Sequence, residues 1–577
     1  MKILFFFLVI ITTVRGSIAQ TGIADPAMQK PDSLVKQFLK DYDIPGASIA
    51  LAKDGKIVYM RGFGFANLNR TEPTQPSYLF RIASLSKQIT SIAIMKLIED
   101  GLLNMTDRVF GLHGLLQYHP VLSKATITDD RIYDITVQQL LEHSAGWDRD
   151  SKCNPNPTLP YSYFVNNCDP INMPLRVAMF TQTPNPISKH AMAKYVLEKG
   201  LDFTPGTRFS YSNMGYLLLG EIIEQLTGLD YEHYIQKNIL HPLGIFDMHL
   251  AKNLLTNKQE REVEYNGNGY KTLSCYNTGE LVPWEYGGFN MEAMDAYGGW
   301  ITTARDLLTL LVAADGFASK KDLLKPATIQ AMTTPSVNNP YYAKGWFVSS
   351  NNNWWHTGAI DGTACEQVRT NNGYTWVILL NKRQLNNSAF WRALDNLGWS
   401  CISSTKSWPC YDLMLAPSIN ASNLTLKRTK QKTMMVSWDK GNSDKYLLIA
   451  SEDSPVNAYP ENGKDYAANN KYGLKKMGNN SNYVVYNGSS NEVMVSGLLP
   501  GKTYYFRLIS YNKNIETGQH TLYQLGDNPV AKIKENKKYG TNFIMKKNSV
   551  QSSLMKYDPA SKNKIVNRGF VQNGTTE

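Results

Sequence analysis

Phe80-Arg81-Ile82-Ala83-Ser84-Leu85-Ser86-Lys87-Gln88-Ile89-Thr90 is the stretch on which the reading of this chain turns. Apolar residues continue at Ile92, Ala93, Met95 and Leu97. The spacing predicts a buried helix that begins near Ser84 and ends before Asp100-Gly101. A serine at a helix N-terminus faces the positive end of the dipole and unpaired N–H groups, and both favour a developing oxyanion. Lys87 returns to the same face one turn deeper. Desolvation there lowers a lysine pKa, and a neutral amine takes a hydroxyl proton.

Two later strings add the other parts of an acyl-transfer site. Tyr211-Ser212-Asn213 follows the turn at Pro205-Gly206 and precedes an apolar helix from Met214 to Leu226, ended by Thr227-Gly228. A phenol held near a lysine cation ionises below its free value and shuttles protons. Asn213 has the groups to hold either a substrate amide or Lys87 by hydrogen bonds. His356-Thr357-Gly358 lies between Trp354-Trp355 and Ala359-Ile360-Asp361-Gly362. Gly358 permits close approach of a substrate backbone, and the N–H groups of Ala359 and Ser84 together suit an oxyanion hole.

These three strings, in this order, resemble the serine β-lactamase and penicillin-recognising enzyme superfamily, which carries Ser-x-x-Lys, Tyr-x-Asn or Ser-x-Asn, and a Lys-Thr-Gly-like triplet. The Tyr-Ser-Asn form is similar to the branch holding class C β-lactamases, D-alanyl-D-alanine carboxypeptidases, D-aminopeptidases and esterases. Ile135 to Gly146 (ITVQQLLEHSAG) and Tyr297 to Asp306 (YGGWITTARD) resemble two further segments of that branch. The resemblance spans residues 32–400. It implies Ser84, Lys87 and Tyr211 as catalytic residues, and Asn213, His356, Thr357, Gly358 and Ala359 as substrate and oxyanion contacts, with no metal and no cofactor. Where efficient class C β-lactamases carry lysine, this chain has His356, as the carboxypeptidases and esterases do. The implied activity is therefore an acyl-enzyme hydrolase acting on esters or D-amino-acid peptides. β-Lactam hydrolysis and non-catalytic recognition of peptides or cell-wall stems on the same fold are the alternatives. An α/β-hydrolase is excluded, because Gly46-Ala47-Ser48-Ile49-Ala50 lacks the final glycine of a nucleophile elbow and heads a hairpin strand.

With 577 residues the chain exceeds one ordinary core. Residues 1–19 read as a signal peptide, an apolar run followed by Ser17-Ile18-Ala19 before Gln20. No later segment has the apolar length of a membrane span, so a secreted or periplasmic protein is expected. Six cysteines then favour disulfides. The expected pairs are Cys153 with Cys168, Cys401 with Cys410, and Cys275 with Cys365. The formal charge is +11, and residues 532–577 carry +7 of it, from ten Lys/Arg and three Asp/Glu. That tail reads as a flexible, solvated end making at most weak surface contact. No nucleic-acid module is present. The expected partner is a small ester or peptide substrate, of peptidoglycan origin among others, and the expected state is a monomer.

The fold expected is mixed α+β. Residues 32–42 read as an amphipathic helix, and Ala47–Ala52 with Ile57–Phe63 as a hairpin turned at Asp54-Gly55. Strand-like text returns only at Gly345–Val348, Cys365–Val368 and Thr375–Leu380, followed by a helix at Ala389–Leu397. One antiparallel sheet built from both ends of the domain, flanked by helices and carrying a large helical insertion, satisfies this pattern. The proline-rich Arg149–His190 segment reads as a loop rimming the cleft. Residues 417–515 alternate as strands. Trp438 and Leu498-Leu499-Pro500-Gly501-Lys502-Thr503-Tyr504 resemble a fibronectin type III sandwich with a core tryptophan and a tyrosine corner. A spacer or adhesion module is expected there.

Overall fold

A computed structural model of the chain describes residues 18–150, 169–385, 387–430, 432–478 and 481–534. Its main sheet holds seven strands: β1 (Gln20–Gly22), β2 (Gly46–Lys53), β3 (Lys56–Gly64), β4 (Phe347–Val348), β5 (Trp354–Ile360), β6 (Thr363–Arg369) and β7 (Tyr374–Leu380). They run β1-β3-β2-β7-β6-β5-β4, each antiparallel to its neighbours. The two ends of the domain meet where β2 pairs with β7, Ile49 opposite Ile378. The β2–β3 turn forms at Asp54-Gly55 because both residues adopt positive φ, 49° and 78°, the geometry whose twist matches that of the flanking strands.

Five helices position the site: α1 (Gln29–Asp41), α2 (Ser86–Glu99), α3 (Asn213–Thr227), α4 (Met291–Gly298) and α5 (Ser388–Ser404). Successive strand residues point to opposite faces. Ile49 and Leu51 therefore join Val35, Phe38, Leu39, Phe390 and Leu394 beneath α1 and α5. Ala50 and Ala52 turn the other way, into a larger core shared with Leu85, Ile89, Leu217 and Trp300. That core belongs to the insertion between β3 and β4, which holds α2, α3 and α4.

Three features depart from the sequence expectation. The insertion is not wholly helical: Phe80–Arg81, Met248–Leu250 and Trp300–Thr302 form one small sheet, and Lys271–Leu273 with Leu281–Pro283 a second. β5 and β1 are strands that the alternation pattern did not reveal. The third concerns the cysteines, because Cys275, Cys365, Cys401 and Cys410 are free thiols. Cys401 faces the core under α5 while Cys410 is exposed. Cys365 Sγ instead donates to Ile82 O at 3.1 Å. Cys153 and Cys168 lie outside the described residues, as do most of the leader, the start of the proline-rich segment and the tail beyond residue 534.

Two sheets pack face to face after Pro417. One holds Ser422–Lys430, Thr433–Asp439 and Glu492–Ser496, and the other Lys445–Glu452, Asn482–Gly488, Thr503–Asn512, Leu522–Tyr523 and Val530–Lys534. Trp438 is buried between them with Tyr446 and Leu508. Tyr504 Oη accepts from Leu499 N at 2.8 Å and donates to Glu452 Oε2 at 2.9 Å. No helix among the described residues is long and apolar enough to cross a membrane.

Candidate active site

Ser84 sits in a single 3-10 turn, Ala83–Leu85, just ahead of α2. No side chain caps this helix; the 3-10 turn caps it instead, with Leu85 N donating to Ile82 O and Ser86 N to Ala83 O. Ala83 holds φ +46°, a left-handed conformation that costs a non-glycine residue about 1–2 kcal/mol and aims the next side chain out of the turn. Ser84 is half-buried, whereas the residues on either side of it are buried. Strand β6 fixes this turn from below: Thr363 Oγ1 donates to Arg81 O at 3.0 Å, and Cys365 Sγ to Ile82 O.

Lys87 comes to Ser84 as the spacing required. Its Nζ lies 3.2 Å from Ser84 Oγ and 2.8 Å from Tyr297 O, a carbonyl of the last turn of α4. The side chain has no exposed surface, and the rings of Tyr211, Tyr297 and Tyr216 surround the amine at 5.0, 5.5 and 5.8 Å. Burial, and then the Arg149 guanidinium, hold its pKa well below the ordinary lysine value despite the opposing pull of Asp169. The same burial favours the uncharged amine, the form that accepts a proton.

Tyr211 behaves differently from the sequence expectation. Burial pushes its phenol up to about 12, although Arg149 and Ser84 both pull the other way. Tyr211 is therefore a neutral phenol, able to donate its proton. Its Oη is buried beside Ser84 without a completed hydrogen bond. Asn213 does not hold Lys87: its Nδ2 donates to Asp169 Oδ2 at 2.5 Å, and its Oδ1 has no partner.

His356-Thr357-Gly358-Ala359 forms the end of β5, across from β6. Strand β4 pairs with β5 only at Trp354 and Trp355, which leaves the outer edge from His356 onward open. Thr357 O is engaged by His356 Nδ1 at 2.7 Å rather than by a neighbouring strand. Residues two apart on a strand point the same way, so the N–H of Ala359, an exposed residue, faces this open edge. Gly358 is required by a close approach, though to the protein and not to substrate: a Cβ there would lie 2.2 Å from Ile82 O. The missing side chain brings β5 against the turn that carries Ser84. His356 is buried, and its pKa is pushed down to about 3, by desolvation first and Lys87 second. With Nδ1–H donated to Thr357 O, its Nε2 is an acceptor, and it is left without a partner.

Unpaired buried polar atoms are rare in folded proteins and call for explanation. Several occur across the described residues, and three of them, on Tyr211, Asn213 and His356, lie on side chains of the strings that meet Ser84 and Lys87. A substrate or ordered water completes such a set.

The sequence model of the family described as Beta-lactamase matches residues 31–395. The chain belongs to the Beta-lactamase family. This is a fold family of serine hydrolases. Among Beta-lactamase relatives, Protein flp of Staphylococcus aureus strain N315 is 26% identical over 369 residues, covering 63% of this chain and 62% of its own length. The chain thus spans just under two thirds of that relative. A protein named Putative D-alanyl-D-alanine carboxypeptidase, from Escherichia coli strain K12, is 24% identical over 360 residues, covering 58% of this chain and 75% of its own. Among solved structures, D-amino acid amidase from Ochrobactrum anthropi SV3 complexed with L-phenylalanine amide is similar at 19% identity and a TM-score of 0.48. That match covers 65% of this chain and 98% of the amidase.

Three residues of this Beta-lactamase site were not found from sequence. His143 Nδ1 accepts from Ser212 N at 3.2 Å and its Nε2 meets Tyr342 Oη at 2.9 Å. Its ring packs 4.2 Å from that of Tyr211. Burial keeps His143 neutral, so it positions the tyrosine string and does not supply charge. Asp169 holds Asn213, and Arg149 lies over the Tyr211 ring at 4.4 Å. His143 stood inside the quoted Glu142-His143-Ser144 text, but single residues carry no spacing signal. Elsewhere His119, His190 and Glu221 converge, yet they do not offer a metal centre. His119 Nδ1 accepts from the N–H groups of Val121 and Leu122. Its Nε2 therefore carries the proton and donates it to Glu221 at 2.9 Å.

Proposed function

We propose that this chain is an exported serine hydrolase that forms an acyl-enzyme on Ser84 and cleaves esters or D-amino-acid-containing peptides, as a carboxypeptidase or esterase. The observation that carries the reading is the fully buried Lys87 amine 3.2 Å from Ser84 Oγ, its pKa held well below the ordinary lysine value by desolvation. Ser84 Oγ attacks the substrate carbonyl while Lys87 Nζ takes its proton. The N–H groups of Ser84 and Ala359 stabilise the negative oxygen. Tyr211, protonated up to about pH 12, gives its proton to the leaving group and regains one from the Lys87 ammonium. Water then attacks the acyl-enzyme with Lys87 again as base, which restores Ser84. Asn213 Oδ1 and His356 Nε2, both unpaired, accept hydrogen bonds from substrate N–H or O–H groups. The apolar leader supports export, and an intact mass of the native protein lacking residues 1–19 is the expected result.

The test is Ser84→Ala. It is expected to abolish p-nitrophenyl ester turnover and fluorophosphonate labelling together, and labelling that persists in the variant would end the mechanism. Release of D-alanine from acyl-D-alanyl-D-alanine identifies a carboxypeptidase, whereas turnover of short-chain esters alone identifies an esterase.

A further inference from the structure

Besides Ser84, Lys87 Nζ has one hydrogen-bond partner, the Tyr297 carbonyl at 2.8 Å. Whatever fixes that carbonyl also fixes where the amine stands. Tyr297 lies two residues past Asp295, where α4 breaks: Asp295 holds φ +39° and ψ −112° inside the helix. A non-glycine residue keeps such a conformation only where its surroundings impose it. The two carbonyls that follow the break are both gripped from α2, Ala296 O by Thr90 Oγ1 at 2.6 Å and Tyr297 O by Lys87.

The constraint on Asp295 is an ion pair. Its carboxylate is buried, and Lys189 Nζ donates to Oδ2 at 2.6 Å. Burial pushes this carboxyl up to about 7, and Lys189 gives the strongest pull against that rise. Lys189 opens the helix Lys189–Lys199 and is itself held from α3, with Glu224 Oε1 at 2.8 Å and Glu221 Oε1 at 3.6 Å. Glu221 has no exposed surface, and its Oε2 accepts from His119 Nε2 at 2.9 Å and from His190 Nε2 at 3.1 Å. Glu221 and Glu224 stand well along α3 from Asn213 at its first turn, roughly 12–16 Å of helix away. The charges that act on Lys87 are those of Arg149 and Asp169. Lys189 therefore reaches the amine through the placement of backbone.

We propose that Lys189 is a positioning residue for the Lys87 amine: its ion pair with Asp295 locks the break in α4 that turns the Tyr297 carbonyl toward Lys87. This assignment rests on the serine-hydrolase reading above and adds to it a residue outside the three strings.

The experiment compares wild type with Lys189→Met, Lys189→Arg, Asp295→Ala and the double variant Lys189→Met/Asp295→Ala, by ester kinetics and thermal melt. Fluorophosphonate labelling of Ser84, run to completion, counts the competent sites in each preparation. Lys189→Met is expected to lower kcat per labelled site about 100-fold with KM unchanged. Lys189→Arg keeps the cation and should recover most of that loss. The double variant should lose no more kcat than either single variant, because both break one link. It should also melt above Lys189→Met, since no unpaired carboxylate stays buried at position 295. A wild-type kcat in Lys189→Met, a loss carried by KM, or losses that multiply in the double variant overturns the assignment. So does a double variant that regains kcat along with its melting temperature, which is the behaviour of a purely structural pair. Labelling of wild-type Ser84 with any of these results sinks only the role of Lys189, and absence of labelling in wild type sinks the hydrolase reading itself.

Discussion

A lysine ammonium with no exposed surface has exchanged its hydration for three tyrosine rings and one backbone carbonyl, and the Lys87 pKa lies well below the ordinary lysine value in consequence. The linkage has a definite sign. The folded pKa lies below the unfolded value, so between the two only the unfolded chain binds the proton. Stability from this group therefore falls as pH drops from about 10.5 to the folded pKa, by about 1.4 kcal/mol for each tenfold loss of proton affinity. Lys87→Met is expected to abolish ester turnover, raise the melting temperature at pH 7 and flatten that slope. Melts of both proteins between pH 6 and 10 measure this, and a wild-type curve parallel to the variant's would show that the lysine is not desolvated. The neighbouring phenol makes a separate prediction. A neutral Tyr211 acts as the acid for the leaving group, so Tyr211→Phe should lower kcat about 100-fold or more for alkyl esters and amides. The loss should be far smaller for p-nitrophenyl esters, whose leaving group needs no proton. Ser84, Lys87 and Tyr211 were legible because helix spacing and adjacency relate them to their surroundings. Arg149, Asp169 and His143 were not, because their roles arise from contacts between segments distant in sequence, which no local pattern encodes.

At the scale of elements, two strand features show why some of the fold was readable and some was not. The β2–β3 hairpin announced itself through Asp54-Gly55 between alternating apolar runs, and both residues take the positive φ that the turn demands. β5 gave no such signal. Trp354, His356, Gly358 and Ile360 are all buried, but the inward set mixes apolar, titratable and side-chain-free residues, so the period-two pattern disappears. Both departures serve the site: His356 presents Nε2, and Gly358 admits Ile82 O. Conformational strain marks the same region, since Ala83, His143 and Asp295 are non-glycine residues at φ +46°, +54° and +39°. They precede the nucleophile, support the tyrosine string and kink the helix whose Tyr297 carbonyl receives Lys87. Such strain persists only where surrounding structure imposes it. Gly358→Ala tests the packing of β5 on the Ser84 turn. A Cβ 2.2 Å from Ile82 O must push the strand away, which is expected to cost about 1–3 kcal/mol in stability and about 100-fold in kcat. Unfolding in urea with ester kinetics on the same preparation measures both. A variant of native activity would show that the edge of β5 does not define the oxyanion site.

Among the described residues, the main sheet, its insertion and the C-terminal sheets, where a spacer or adhesion module was expected, form one compact unit. The seam between them is built from buried contacts. Leu522 is counted within the large core of the insertion. Gln524, also buried, donates from Nε2 to Gly244 O at 3.0 Å and to Pro417 O at 3.1 Å. Arg507 pairs with Glu260 at 2.8 Å, and its guanidinium and that of Arg261 lie 4.5 and 4.8 Å from the Tyr459 ring. None of this was visible in the sequence, because the partners lie hundreds of positions apart and the apolar residue in the contact, Leu522, looks like an ordinary strand residue. Such an interface makes the sheets a support for the Beta-lactamase-fold body. Gln524→Ala leaves two buried carbonyls without their donor and should cost about 1–3 kcal/mol. Because the seam couples the parts, the loss is expected as a single shifted transition, with ester turnover and tryptophan fluorescence falling together on heating. A tethered spacer would behave differently: the sheets would melt early while Ser84 kept hydrolysing ester at the wild-type midpoint, and that separation in a thermal scan of the full chain would refute the coupling.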